Sequence, residues 1–348
     1  MSFIRNTWYV VAWDHEIPAE GFLTRTICGI PIVMYRKADG QLIALEDRCC
    51  HRGAPLSKGR LEGDCVRCNY HGLKFDTSGQ CIDTPWGQKV PPRARVRAFP
   101  VVAQHRWVWI WMGTPQQADP SAIPATPWLD HPDWRGRPGY LHYDVNYLLI
   151  CDNLLDFSHL PFVHPSTLGG GEDYAGTPPK VERMDNGVRV TRWALNTQAP
   201  AFVAAVKKWP GLVDRWNIYD FLIPGVLVMD SGNAPTGTGA PQGRRVDAAE
   251  FRGCQALTPE TENSTHYFFS QPHNFSIDKP EVTDSIHAFI LRAFQEDKDM
   301  ILAQQHSLAM APDFQMAPMA VDLALAQFRR LVTQRLQQEA AEQAATVG

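Results

Sequence analysis

Short apolar runs rich in β-branched and aromatic residues open the chain, at 8–13, 31–35, 42–45 and 107–111. Turn pairs such as Asp39-Gly40 and Ser78-Gly79 fall between them, and nothing there repeats at helical spacing. That pattern predicts short antiparallel strands closing into a small barrel or sandwich. Residues 114–139 then bring many prolines and no period, as a seam between domains does. Beyond the seam the pattern mixes. Residues 147–157 read as a helix, 181–195 and 219–229 as extended chain, 265–270 as a strand, and the glycine-rich 231–243 as a loop. Two late segments, 285–310 and 322–345, have the clearest helical period; in the second, Leu325, Phe328, Val332 and Leu336 recur three or four residues apart. The predicted fold class is α+β, with an all-β domain over residues 1–113 and a helix-flanked antiparallel-sheet domain over 114–348.

Composition narrows the function. Of 348 residues, 44% are apolar and 20% charged, and 33 basic against 37 acidic side chains leave a net charge of −4, which argues against nucleic acid as a partner. The first residues lack the layout of a signal peptide, and no apolar run approaches the ~20 residues that span a bilayer. A cytoplasmic chain without a membrane partner is expected. Its eight cysteines are too few for a disulfide framework. Six lie between Cys28 and Cys81, four of them at Cys49, Cys50, Cys65 and Cys68, which points to a metal site early in the chain.

Cys49-x-His51 is followed by Cys68-x-x-His71, so each of two segments offers one thiolate and one imidazole. These ligands exclude hard cations. A mononuclear zinc site is one reading, and Cys65-x-x-Cys68 could serve it or a redox disulfide. Zinc sites, however, usually take two cysteines from one knuckle and two histidines from another. One of each per loop suits a two-iron cluster with both cysteines on one iron and both histidines on the other, the ligation of a Rieske centre.

A second constellation is Asp152-Asn153-x-x-Asp156-x-x-His159-x4-His164. Helical spacing predicts Asp152, Asp156 and His159 on one face, with Pro161 breaking the helix so that His159 and His164 converge. Two histidines and a carboxylate on one face of Fe(II) leave positions open for dioxygen and substrate. In 285–310 the apolar stripe runs through Ile286, Phe289, Ile290, Ala293, Phe294, Met300 and Ile301, and Asp297 falls inside it while Glu296 and Asp299 fall on polar faces. A carboxylate on a buried stripe needs a partner or a metal. Asp297 is the expected third ligand; pairing with Lys298 or Arg292 is the alternative.

Cys49-Cys50-His51-Arg52-Gly53-Ala54-Pro55-Leu56 and Cys68-Asn69-Tyr70-His71-Gly72-Leu73-Lys74-Phe75 resemble the two cluster loops of Rieske domains. Residues 152–164 and 295–299 resemble the iron-binding segments of the Rieske non-haem iron oxygenases. Residues 5–10, 152–156 and 257–262 look like the branch that holds vanillate O-demethylase, dicamba monooxygenase and toluenesulfonate methyl-monooxygenase. Cys50 departs from the family, which usually has proline there. The resemblance implies a [2Fe-2S] cluster on Cys49, His51, Cys68 and His71, and mononuclear Fe(II) on His159, His164 and Asp297. It implies Asp156 and Asn153 as catalytic residues, with Asp156 bridging a cluster histidine and His159 across a head-to-tail homotrimer. The implied reaction uses O2 to hydroxylate a methyl or O-methyl group of a small aromatic acid or sulfonate.

No dinucleotide fingerprint is present, since Gly169-Gly170-Gly171 follows no convincing strand, and no plant-type ferredoxin spacing occurs. Electrons are therefore expected from a separate NAD(P)H-dependent reductase. Trp86, Trp107, Trp109 and Trp111 are candidates for core packing or for docking it. Met229, Asn233 and Gln255 are candidate pocket residues that sequence does not place. Three other functions stay open: a ring-hydroxylating dioxygenase, a Rieske electron carrier without a second iron, and a zinc-stabilised binding protein.

Overall fold

A computed structural model of the chain describes residues 3–87, 89–169 and 173–347. Gly170 and Gly171 of the triple glycine, and Met1 and Ser2 at the start, lie outside the described residues. The chain divides into two compact units, residues 3–123 with 258–262, and residues 124–257 with 263–347.

The first unit is built from eleven strands. They are β1 (Trp8–Trp13), β2 (Leu23–Ile27), β3 (Ile30–Arg36), β4 (Leu42–Glu46), β5 (Arg60–Glu62) and β6 (Cys65–Arg67). β7 (Lys74–Phe75), β8 (Cys81–Asp83), β9 (Ala98–Phe99), β10 (Val101–Gln104) and β11 (Trp107–Trp111) follow. Three antiparallel sheets result, ordered β1-β11-β10, β2-β3-β4-β9 and β5-β6-β7-β8. Every residue of β1 and β11 is buried, which is why both read as unbroken apolar runs. Trp8 meets Trp111, and Trp13 meets Trp107, with ring centroids 5.5 Å apart in each pair. Trp107, Trp109 and Trp111 are thus core residues, whereas Trp86 is exposed.

In the second unit, β12 (Gly139–Tyr143) precedes the helices α1 (Tyr147–Leu155), α2 (Leu160–Val163) and α3 (Asp173–Gly176). Next come β13 (Lys180–Met184), β14 (Gly187–Thr197), α4 (Ala201–Ala204), β15 (Val213–Leu222), β16 (Val226–Pro235), β17 (Ala249–Thr261), whose last residues count with the first unit, and β18 (Ser264–Ser270). Two long helices, α5 (Pro280–Met310) and α6 (Leu323–Val347), end the chain. The strands form one seven-stranded sheet in the order β12-β18-β17-β16-β15-β14-β13. On α5 the buried positions are Ile286, Ile290, Ala293, Phe294, Asp297 and Ile301, a stripe at three- and four-residue spacing that carries Asp297 inward.

The α+β class and the late helices match expectation, and four local readings need correction. The extended stretch 181–195 is a hairpin, with Met184 paired to Gly187. The stretch 219–229 hides the β15–β16 turn, which holds the cis Ile223–Pro224 bond. Residues 231–235, expected in a loop, continue β16, because Ser231 and Asn233 are buried polar residues on a strand face. Met300, placed on the apolar stripe of α5, is 57% exposed. β17 was not foreseen: it is buried on both faces through its middle and so has no alternation to read.

Candidate metal centres

The loops at 49–54 and 68–73 close in the same way. The N–H of Cys49 donates to Ala54 O and that of Cys68 to Leu73 O, five residues on and 2.8 Å away in each case. Each cysteine carbonyl accepts from a glycine four residues on, Gly53 or Gly72, at 2.9 Å. Those glycines have φ of 72° and 76°, a backbone state that side chains disfavour. Cys-x-His and Cys-x-x-His are therefore one turn that places its imidazole at successive positions.

Cys49 and Cys68 belong to a core with Val33, Tyr35, Leu56, Val66 and Phe75. Burial, with the Cys68 thiol beside it, pushes Cys49 up to about 12, so a bare thiolate is disfavoured there unless a metal holds it. His51 is exposed, and its ring lies 4.6 Å from that of His71. Burial, then His51 and Arg52, hold His71 below the usual imidazole range and favour the neutral form that ligates metal. Thiols pair inside and imidazoles pair outside. The donor set fits a two-iron cluster with a cysteine pair on one iron and a histidine pair on the other. Cys50 is exposed and lines a surface pocket with Cys81 and Trp86.

The second constellation does not lie along one helix. α1 stops at Leu155, and Asp156, in extended conformation, caps the 3-10 turn 157–159 by accepting from Ser158 N at 2.8 Å and Ser158 Oγ at 2.7 Å. Asp156 and His159 therefore do not share a helix face with Asp152. Asp152 turns to α6 and accepts from Arg329 Nε at 2.9 Å and Nη2 at 2.5 Å. Pro161 does not end a helix but sits in the first turn of α2, where its missing N–H costs nothing.

These short elements still bring the histidines together. His159 Nδ1 donates to the backbone carbonyl of Asp156 at 2.5 Å, so its contact with Asp156 runs through the main chain. His164, fully buried, donates from Nδ1 to Glu296 Oε2 at 2.8 Å. Both assignments, made from the acceptors, aim Nε2 at Asp297, where it holds either a proton shared with that carboxylate or, in the proton's place, a cation. Asp297 Oδ1 lies 3.0 Å from His164 Nε2 and 3.4 Å from His159 Nε2, and it accepts from Asn153 Nδ2 at 3.0 Å. His159, His164 and Asp297 are the one group among the described residues whose donor atoms all come within 4.8 Å of one another. Two donors about 2.1 Å from one ion and at right angles to each other sit about 3.0 Å apart, so the three side chains fit a single cation.

Electrostatics agree. Burial raises the Asp297 carboxyl, but the two imidazoles outweigh it and hold it at about 2. Burial lowers His164, yet Asp297 and Glu296 together draw it upward. Two carboxylates around one buried imidazole demand positive charge, which a divalent cation supplies. Glu296 lies near Arg292 as the sequence places it, but its contact with His164 was not anticipated. The available signal was its adjacency to a ligand, because a metal-bound histidine commonly gives its other N–H to a carboxylate.

A cavity opens on His159, Asp297 and Asn153. Leu154, Phe157, Phe202, Ile290 and Phe294 form its apolar side; Arg215, Asn217, Ser231, Gln255 and Gln271 give it polar groups. Met229 and Gln255 are thus cavity residues, while Asn233 is buried on β16 outside the lining.

A thiol pair and an imidazole pair in an all-β unit, with two histidines and an aspartate in the second unit, fit a protein with two iron centres. Comparison with known proteins agrees: residues 7–100 match the Rieske [2Fe-2S] domain and residues 143–338 the vanillate O-demethylase oxygenase C-terminal domain. The chain belongs to the Rieske non-haem iron oxygenases, in the branch of the vanillate O-demethylase oxygenases. It is 49% identical, over 97% of its length and 98% of the relative, to the toluene-4-sulfonate monooxygenase system iron-sulfur subunit of Comamonas testosteroni. It is 35% identical to a vanillate O-demethylase oxygenase subunit of Pseudomonas sp., with 98% of each covered. A crystal structure of dicamba monooxygenase with non-heme iron and dicamba superposes with a TM-score of 0.84 at 34% identity, covering 98% of this chain and 100% of that one. The protein is an oxidoreductase, the oxygenase component of a Rieske monooxygenase with a [2Fe-2S] cluster and a mononuclear iron. No helix among the described residues is long and apolar enough to cross a membrane.

Proposed function

We propose that the chain hydroxylates a methyl or O-methyl group of a small aromatic sulfonate or carboxylate, drawing electrons from a separate NAD(P)H-dependent reductase. Residues 1–113 form the cluster domain, with Cys49, His51, Cys68 and His71 as ligands; residues 114–348 form the catalytic domain, with iron on His159, His164 and Asp297. The observation that carries the reading is the cavity that ends on His159 and Asp297 and combines an apolar wall with the buried Arg215. An aromatic ring suits the wall, and an anionic substituent suits the polar side. The 49% identity to the toluene-4-sulfonate system subunit supports the same class.

A ferrous ion held by His159, His164 and Asp297 would supply dioxygen activation, and a cluster held by Cys49, His51, Cys68 and His71 would supply electron transfer. The balance is one methyl group, O2, two electrons and two protons giving one alcohol and one water. Where the carbon is an O-methyl, the hemiacetal then loses formaldehyde. Asp156 holds the His159 ring by its carbonyl. Asn153 donates to Asp297 Oδ1 and so fixes which carboxylate oxygen faces the metal. Cavity residues Leu154, Phe157 and Phe294 exclude water from the reacting carbon.

The chain works as a cytoplasmic homotrimer, in which the cluster of one copy serves the iron of the next. The exposure of His51, with Tyr70 and Trp86 exposed beside the imidazole pair, supports such a contact. The decisive experiment measures substrate-dependent O2 uptake with a reductase on toluene-4-sulfonate, vanillate and their uncharged analogues, with mass analysis in solution. Uptake with the anions, yielding alcohol or formaldehyde, is the expected result. A ring diol product, or preference for the uncharged analogues, overturns the substrate class; a monomer overturns the assembly.

A further inference from the structure

The two histidines of the iron site are held by chemically different acceptors. His159 Nδ1 gives its proton to a peptide carbonyl, a neutral group. His164 Nδ1 gives its proton to a carboxylate, that of Glu296, at 2.8 Å. The same Oε2 also accepts from Thr167 Oγ1 at 2.8 Å, and Thr167 is fully buried. The second oxygen of Glu296 faces Arg292 Nε at 3.8 Å, and Arg292 Nη2 donates to Ser166 O at 3.1 Å. Glu296 therefore ties α5 to residues 164–167. Because Glu296 and Asp297 are consecutive, one turn of α5 touches both nitrogens of the same imidazole.

We infer that Glu296 is a positioning residue that sets the affinity and the electronic character of the iron site by charging the hydrogen bond behind His164. This rests on the reading that His159, His164 and Asp297 hold the iron. A carboxylate acceptor gives the imidazole partial imidazolate character, so Nε2 becomes a stronger donor than that of His159. It also adds a negative charge beside the one on Asp297, which favours a divalent cation in a buried site. Thr167 and Arg292 hold Glu296 in place: the hydroxyl fixes the rotamer of the oxygen that His164 uses, and the guanidinium lies beside the other. The arrangement makes the two nitrogen ligands unequal, with His164 the anchor and His159, more exposed at the cavity, the ligand free to yield.

The test uses the full-length, cluster-containing enzyme, stripped of mononuclear iron with a chelator and reloaded with 57Fe(II). Glu296→Gln keeps the shape and a hydrogen-bond acceptor but removes the charge. Its Fe(II) affinity, read by chelator competition, should fall about 10- to 100-fold. The Mössbauer quadrupole splitting of the reloaded ferrous site should shift, while the visible spectrum of the cluster stays as in the parent and reports a folded, loaded chain. Glu296→Asp, which restores charge at a longer reach, should recover part of the affinity. Thr167→Val, which frees the rotamer without removing the charge, should fall between parent and Glu296→Gln. Wild-type affinity and an unchanged Mössbauer spectrum in Glu296→Gln overturn the inference. Asp297→Ala, run alongside, separates the two levels. If it loses the iron while Glu296→Gln does not, only the role of Glu296 fails; if it retains the iron, the ligand assignment fails and this inference with it.

Discussion

The two metal centres are assembled by opposite means. The cluster cradle is local: each loop spans six residues, closes on its own backbone and carries its thiol and imidazole two or three positions apart. The iron site is long-range. His164 and Asp297 are separated by 133 positions, and they meet only because α5 lays a buried stripe beside the turns that follow α1. A local site depends on turn chemistry. A long-range site depends on packing, and it recruits supporting groups such as Glu296 that no short motif contains.

Removing one ligand from each centre should give the largest effects and the sharpest contrast. Cys68→Ser should lose the cluster, its colour and all turnover, yet still bind one ferrous ion per chain. Asp297→Ala should keep the cluster spectrum while iron affinity and O2 uptake fall by at least about 100-fold. Loss of both metals from either variant, seen by iron and acid-labile sulfide assay, would show that the centres are not independently built. Next in size, Asn153→Ala removes the hydrogen bond to Asp297 Oδ1 and should weaken iron retention about tenfold without touching the cluster, as metal analysis after dialysis will show.

The likeness of the two loops can itself be tested. Gly53→Ala meets only Arg48 Cγ at 3.9 Å, so it should cost the positive-φ strain alone, about 1 kcal/mol. Gly72→Ala adds a clash at 2.9 Å with Pro85 Cγ and should cost more, about 2 kcal/mol, seen as a lower midpoint for cluster bleaching on heating. Equal losses would mean that the backbone state alone governs both turns. The smallest effect comes from a histidine outside both centres. His273 is buried, donates from Nδ1 to Phe275 O at 2.7 Å, places Nε2 2.9 Å from Thr283 Oγ1, and is held below its ordinary value of 6.5 by burial, with Arg135 adding to the shift. A lowered folded value means that the unfolded chain takes the proton first. Stability from this group is complete above pH 6.5 and is lost progressively as the pH falls below it. Chemical denaturation across that range should show the slope, and His273→Gln should flatten it.

What sequence could reveal follows the same division. Cys49, His51, Cys68 and His71 were legible because spacing alone limits how a tight turn presents its side chains. Asp297 was legible because a carboxylate on an apolar stripe is conspicuous. Asp156 was misread because helical spacing was extended past Leu155, where the chain turns extended to cap Ser158. Glu296 was missed because its partners, His164 and Thr167, approach from a segment more than a hundred residues away. β17 was invisible because burial on both faces erases the alternation that announces a strand.

The adjacency of Glu296 and Asp297 has one more consequence. Since neighbouring residues grip opposite edges of one ring, the phase of that helix is locked: inserting or deleting a single residue between Pro280 and Glu296 would swing both acids about 100° away together. Exchanges of side chain at outward positions such as Leu291 and Met300 leave that phase untouched. Sister enzymes that differ in substrate should therefore vary freely in lettering along this rod, and hardly at all in its length.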